Sequence, residues 1–345
     1  MSDVYANNVT LGTDTKIFKV QSLSSFEMSN GTFIEVHPED PKDSSTKLIE
    51  LSSITLSDGI DFSISDVQIE GSTVGLIELS NIQSSENLTT SFFIRNFTYL
   101  NSYFEYSQDL ISFTQIETSN NFSIAINSIN MQNITFVSTG NLFVFSQQTS
   151  LNLSLTDAYF NNLYGARIYI KSSNLQNSDL FTSIEMRNIT ATNLSGFSAS
   201  FIAIDEGGRI FIYDSSFTNI DNIERGAVLN AGYQNSQTQV YNSTFKNNMS
   251  IYGGVANIQD NSVIKFFDCN FTYNFALQSG VIQSSNNGYY ELYRSYINNN
   301  YANSLSVSEI FIVTQPSIFS NCTVFDNLVL TKSQIVSEFD QCSTL

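Results

Sequence analysis

The residues best suited to chemistry recur at one interval. Asp214, Asn242, Asp268, Arg294 and Asn321 follow one another at spacings of 28, 26, 26 and 27 residues. If the chain makes one coil per interval, successive members stand about 4.8 Å apart, and Asp214 and Asp268 about 9.6 Å apart. That lies near the upper end of the separation at which two carboxylates flank a water in inverting glycoside hydrolysis. Asp214, Asp268 and Arg294 are therefore the catalytic candidates. The same column also reads as a solvated turn that needs polar residues whatever the chemistry, and this plainer reading is favoured. Beside it run Tyr213, Tyr241, Phe267 and Tyr293, an aromatic ladder. Such a ladder is either a platform on which sugars stack or cross-strand packing that stabilises a sheet, and packing is the commoner use.

The remaining reactive side chains are few. One histidine, His37, and three cysteines are present, so neither a His/Cys zinc site nor a His-based triad can be assembled, and no metal or other cofactor is expected. His37 sits in the polar stretch 37–46 with two of the three prolines and is expected to be a solvated loop residue. Cys269 and Cys322 occupy equivalent positions two coils apart, about 9.6 Å, beyond the roughly 7 Å that a disulfide spans. They are expected to be free and buried, like the serines at the equivalent 215, 243 and 295. Cys342 falls outside the readable phase.

Composition narrows the function classes. A net charge of −18 with only 14 Lys and Arg argues against nucleic acid and anionic membrane surfaces, which select clustered positive charge. No 18-residue apolar run offers a membrane-spanning helix. Residues 1–20 lack a charged segment followed by an apolar one, so the chain is expected to be intracellular, or a mature or partial chain without its leader. Thirteen of 39 asparagines lie in Asn-x-Ser/Thr, against about nine from composition alone. The glycosylation candidates are Asn96, Asn133, Asn188, Asn242, Asn248, Asn270 and Asn321.

What must position these residues is a repeat. At 345 residues the chain exceeds one compact core. Its Ile, Val, Phe and Tyr come in runs of three to five, broken by Asn, Ser, Thr and Gly, which is strand-and-turn composition. An apolar residue followed two places later by Asn or Asp recurs at Met28, Ile64, Ile94, Met131, Tyr159, Met186, Phe217, Phe245, Phe271, Ile297 and Val324, with Tyr273 the one exception among the polar partners. A second apolar column keeps phase with it, from Leu48-Ile49 and Leu76-Ile77 to Val281-Ile282 and Ile310-Phe311. A unit of 26 to 31 residues without a helix cannot bury an apolar face alone and must stack on copies of itself. Asn fits the corners because it tolerates left-handed backbone and its amide can bond to the next Asn along the stack. The expected fold is an all-β parallel β-helix of about eleven turns, a rod of about 50 Å. It is one solenoid over 1–345, with irregular first turns in 1–60, a protruding loop at 37–46, regular turns over 210–327 and an uncapped partial turn at 328–345.

Phe245-Lys-Asn-Asn248 with Gly253-Gly254-Val255, Phe271-Thr-Tyr-Asn274 with Ser279-Gly280-Val281-Ile282, and Gly226-Ala227-Val228 resemble the paired FxxN and GGA(I/L/V) repeats of polymorphic outer-membrane proteins. Similar repeats occur in large protist surface proteins. The resemblance covers 217–327 well; upstream, Met131-Gln-Asn-Ile134 and Met186-Arg-Asn-Ile189 keep the phase and lose the full phrase. It implies a right-handed β-helix of the pectate-lyase-like superfamily, displayed outside the cell, and polysaccharide lyases of that fold use carboxylates and an Arg on an outer sheet.

Two functions follow. The first is a non-catalytic structural or adhesive segment of an extracellular or cell-surface glycoprotein, with glycans or further copies of itself as partners. Gln334-Ile335-Val336 at one end and Ile17-Phe18-Lys-Val20 at the other would offer matching parallel edges, so end-to-end stacking into a filament is expected. The second is a carbohydrate-active enzyme, a polysaccharide lyase or inverting glycosidase, using Asp214, Asp268 and Arg294.

Overall fold

The computed structural model describes residues 5–11, 16–20, 25–40, 46–52, 55–56, 61–84, 90–118, 122–147, 151–172, 183–196, 200–205, 208–232, 236–302, 311–312 and 318–329. The chain divides into two compact units, Met1–Glu185 and Met186–Leu345. Among the described residues no helix forms, and each strand pairs in parallel with the strand one coil away. The described strands make up about eight turns of β-solenoid, fewer than the eleven expected. Corner residues recur eleven times, but several coils contain stretches outside the described residues, including 303–310 and 313–317.

In the second unit a coil has four arms. The first arm is Arg209–Tyr213, Gln237–Tyr241, Val263–Phe267, Tyr289–Tyr293 and Ile318–Ser320. A corner residue follows, then the second arm, for example Thr244–Lys246 and Asn270–Thr272. After a second corner come the third arm, Met249–Tyr252 and Phe275–Gln278, and the fourth, Ala256–Ile258 and Ile282–Ser284. Strand alternation puts Ile210, Ile212, Val240, Phe266 and Leu292 of the first arm inside. They meet a column of second-arm side chains in which Phe217, Phe245 and Phe271 stack at 5.3 and 5.1 Å. The first unit uses the same device: Phe26, Phe62 and Phe92 stack at 4.7 and 4.1 Å.

The corners correct the sequence reading. The single column of apolar–x–Asn/Asp resolves into two corners five residues apart, each in the left-handed region. The first corner is Asn30, Asp66, Asn96, Ser128 and Asp157 in the first unit, and Asn188, Asp214, Asn242, Asp268, Arg294 and Asn321 in the second. The second is Glu35, Gly71, Asn101, Asn133 and Asn162, and Asn193, Asn219, Asn247, Tyr273, Asn299 and Asp326. Met28, Ile64, Ile94 and Met186 thus precede the first corner, whereas Met131, Phe217, Phe245, Phe271, Ile297 and Val324 precede the second. Tyr159 precedes neither; its neighbour Phe160 is the one that pairs with Met131. Asn dominates because its short amide pays little for positive φ and bonds along the stack. At the second corner Asn162 donates to Asn133 and Asn133 to Asn101, both at 2.8 Å, and Asn247 donates to Asn219 at 3.2 Å.

Inside the second unit, directly after the second corner, runs another asparagine column, Asn248, Asn274, Asn300 and Asn327. The first three are completely buried. Each side-chain amide donates to the next side-chain oxygen at 2.9–3.0 Å and to a second-arm carbonyl. The oxygens of Asn274, Asn300 and Asn327 accept in return from the backbone N–H of the column asparagine one coil before. Between the third and fourth arms Gly253 has φ 69°, and a Cβ there would lie 2.1 Å from the Ala256 carbonyl oxygen; at Gly254 it would lie 2.3 Å from that of Gly280. The Gly-Gly phrase is a demand of backbone packing. One further expectation shifts. His37 and Pro38 belong to the strand Thr32–Pro38, so the loop begins after them, and 41–45 lie outside the described residues. Gln334-Ile335-Val336 and Cys342 also lie outside them, while Lys16–Val20 pairs in parallel with Lys47–Ser52.

Candidate functional site

The catalytic candidates are the first-corner residues of the second unit, each with φ between 47 and 56°. The corner turns their side chains outward, and Asp214, Asn242, Asp268, Arg294 and Asn321 are all exposed. The structure joins them in pairs. Arg294 grips Asp268 with both ends of its guanidinium, Nε to Oδ1 at 2.8 Å and NH2 to Oδ2 at 2.7 Å. Asn242 donates to Asp214 Oδ1 at 2.8 Å, and Arg187 reaches Asp214 Oδ2 at 3.3 Å. The Arg294 hydrogen bonds hold the Asp268 carboxyl below its ordinary range, more strongly than its slight desolvation raises it. A general acid needs the opposite, a carboxyl that keeps its proton near neutrality. The arrangement leaves Asp268 a negative charge already paired with Arg294.

The aromatic ladder lies on the outer face of the first arm. Centroids of Tyr213, Tyr241, Phe267 and Tyr293 follow at 5.0, 4.7 and 4.9 Å, with planes within 5–11° of parallel. Rings this close and this parallel must overlap by their faces. A sugar stacks on a face, and here the faces are spent on one another, leaving edges toward solvent. The Arg187 guanidinium covers the outer Tyr213 face at 4.4 Å. Flanking the ladder, Glu291 accepts from the Tyr293 hydroxyl at 2.8 Å and pairs with Lys265 at 2.9 Å. The hydrogen bond to Glu291 raises the Tyr293 phenol, so it stays a donor, and raises Lys265 as well.

Of the glycosylation candidates, Asn96, Asn133, Asn188, Asn242 and Asn321 are exposed, and Asn270 is half-buried in a strand. Asn248 differs from these: it is completely buried, with its side-chain nitrogen donating to Phe217 O and Asn274 Oδ1. Cys269 and Cys322 are free and buried as expected, and burial pushes the Cys269 thiol up to about 12.

In the first unit, sequence reasoning missed an open cleft of about 240 Å³ lined by His37, Pro38, Thr73, Tyr103, Phe104, Glu105, Tyr106 and Gln108. Residues from Tyr103 to Gln108 form one wall. The other belongs to strands a coil or two away, which no local pattern announces. His37 Nδ1 lies 2.9 Å from Thr73 Oγ1, and Tyr103 is exposed. Among the described residues no group of three His, Cys, Asp or Glu is placed to hold a metal ion.

No protein-family model matches the chain, and no curated protein sequence matches it. Among solved structures, it is similar to the A-module of the mannuronan C-5 epimerase AlgE6 of Azotobacter vinelandii, at 13% identity over 90% of this chain and 91% of that one, with a TM-score of 0.27. At that TM-score the likeness carries no argument about chemistry. What stands is an all-β, parallel β-solenoid built on left-handed polar corners.

Proposed function

We propose that the chain is a non-catalytic structural or adhesive β-solenoid segment of an extracellular surface protein. The observation that carries this reading is that the whole candidate catalytic column serves as the backbone corner, with Asp268 held ionised in a two-pronged pair with Arg294. The face-to-face ladder supports it, since those rings act as a brace between coils. The FxxN and GGA-type phrases, similar to those of polymorphic outer-membrane repeats, fit a solenoid displayed on a surface and continued by further segments or copies. Incubation with a panel of acidic and neutral polysaccharides tests the reading: no new reducing ends or unsaturated products are expected. Turnover that Asp268→Asn abolishes would overturn it.

A carbohydrate-active role finds its better footing in the first unit's cleft, where an imidazole, a carboxylate and two phenols converge. Because His37 is the only histidine, its ring protons give one resolved pair of NMR signals. Titration with oligosaccharides that moves them saturably would favour that second reading.

A further inference from the structure

Of the nine Asn-x-Thr sequences, at Asn8, Asn30, Asn87, Asn96, Asn133, Asn188, Asn242, Asn270 and Asn321, five share one position in the fold. At the first corner of the two units, five positions are asparagine, Asn30, Asn96, Asn188, Asn242 and Asn321, and every one is followed two places later by Thr. The six first corners that are not asparagine are followed there by Gln68, Asn130, Tyr159, Ser216, Asn270 and Tyr296, never by Thr. Left-handed backbone explains Asn at the corner; it gives no reason for Thr to accompany Asn and to avoid Asp, Ser and Arg in the same place. The pair is what an N-glycan acceptor requires.

Two structural facts agree. All five asparagines are exposed. Within each unit no two of them occupy adjacent turns: Asp66 separates Asn30 from Asn96, Asp214 separates Asn188 from Asn242, and Asp268 and Arg294 separate Asn242 from Asn321. Neighbouring acceptors are thus at least about 9.6 Å apart, twice the strand spacing, which leaves room for a sugar on each. The second corner is built differently: Asn101, Asn133 and Asn162 stack in consecutive turns and bond to one another.

We propose that the first corner is a row of N-glycan acceptors. The proposal rests on the extracellular reading and assigns the modification to one corner of each unit. The donor is an oligosaccharide carried on a polyprenyl diphosphate. The Asn side-chain nitrogen forms a bond to the anomeric carbon, the bond from that carbon to the diphosphate oxygen breaks, the diphosphate leaves, and the amide gives up one proton. It keeps one N–H, enough for the single ladder bond that Asn96 makes to Asp66 and Asn242 to Asp214. Asn248, in Asn-Met-Ser, needs both of its N–H groups inside the core, so a glycan there is incompatible with the closed coil.

The full chain, expressed behind a secretion leader in eukaryotic cells, is digested and de-N-glycosylated enzymatically in ¹⁸O-water, which marks each occupied Asn as labelled Asp. Label is expected at Asn30, Asn96, Asn188, Asn242 and Asn321 and not at Asn248. Thr244→Val, which keeps a β-branched residue, should remove the Asn242 glycan and leave the circular dichroism spectrum unchanged. Label at fewer than four of the five, or at Asn248 in folded secreted protein, overturns the proposal. The same mapping on material from the native source separates the two readings: a row present in the secreted recombinant chain and absent from native material refutes the extracellular reading and leaves the acceptor row standing.

Discussion

Asn274→Ala should unfasten the second unit far more than its size suggests. The side chain is completely buried and makes four hydrogen bonds: it donates to Phe245 O at 3.0 Å and Asn300 Oδ1 at 2.9 Å, and accepts from Asn248 N at 3.1 Å and Asn248 Nδ2 at 3.0 Å. After truncation Asn300 Oδ1 keeps the bond from the Asn274 backbone N–H, and Asn248 Nδ2 keeps Phe217 O. The Asn248 backbone N–H and the Phe245 carbonyl lose these partners inside the core. At about 1–3 kcal/mol for each of these two buried groups left unsatisfied, the expected loss is about 2–6 kcal/mol, or a fall in Tm on the order of 10 °C. Asn247→Gly, one residue away, is the control: glycine adopts the corner's positive φ freely and only an exposed bond is lost, so less than about 1 kcal/mol is expected. Urea unfolding with hydrogen exchange read over 236–302 measures both. Asn274→Asp adds a sign test, since a buried carboxyl has its folded pKa raised; stability is retained at low pH and lost as pH rises through that pKa. A loss for Asn274→Ala no larger than that for Asn247→Gly, with the fold intact, would refute the claim that the buried amides fasten coil to coil.

Gly253→Ala should destabilise the second unit by about 3 kcal/mol or more, because positive φ and a backbone clash coincide there. Gly232→Ala, whose Cβ would meet nothing closer than 3.3 Å, should be tolerated, and comparing their urea midpoints checks this. Native Cys269 should resist a thiol reagent at pH 8 and react on denaturation, and peptide mapping of the adduct reads it directly. Because Arg294 lowers the Asp268 pKa, the pair's stabilisation is present above the ordinary carboxylate range and is lost as pH falls through the lowered folded value. Any stability difference between the parent and Arg294→Gln should therefore shrink below about pH 4, which thermal melts at several pH values would show.

The repeat, its period, two apolar columns in phase with each other and the free buried cysteines are legible because each is written in the recurring spacing of the chain. The two corners are not separable that way. Both are written as apolar–x–Asn/Asp, only five residues apart, and nothing local says whether Met186 and Phe217 belong to the same one. The buried asparagines were visible as Asn247-Asn248 and Asn299-Asn300, but a doublet of Asn reads as a loop until burial shows one member facing in. Catalytic promise at Asp214 and Asp268 came from column spacing alone; whether an acidic column is an active site depends on its partners, and the bidentate Arg294 could not be read from spacing. The cleft near His37 needed residues from Pro38 to Gln108 to meet, which only the register of distant strands decides.

The one-coil-per-strand pairing of the second unit has a mechanical meaning. Among the described residues each strand there pairs with the strands one coil before and one coil after, so a pull on the ends loads one interface at a time, not the unit as a whole. Peeling a single coil releases the 26 to 28 residues between successive first corners, Asp214 to Arg294, or about 90 Å of slack at the reach of an extended chain. Under force such a unit would lengthen in evenly sized steps and dissipate energy at each, behaving as a ratcheted tether.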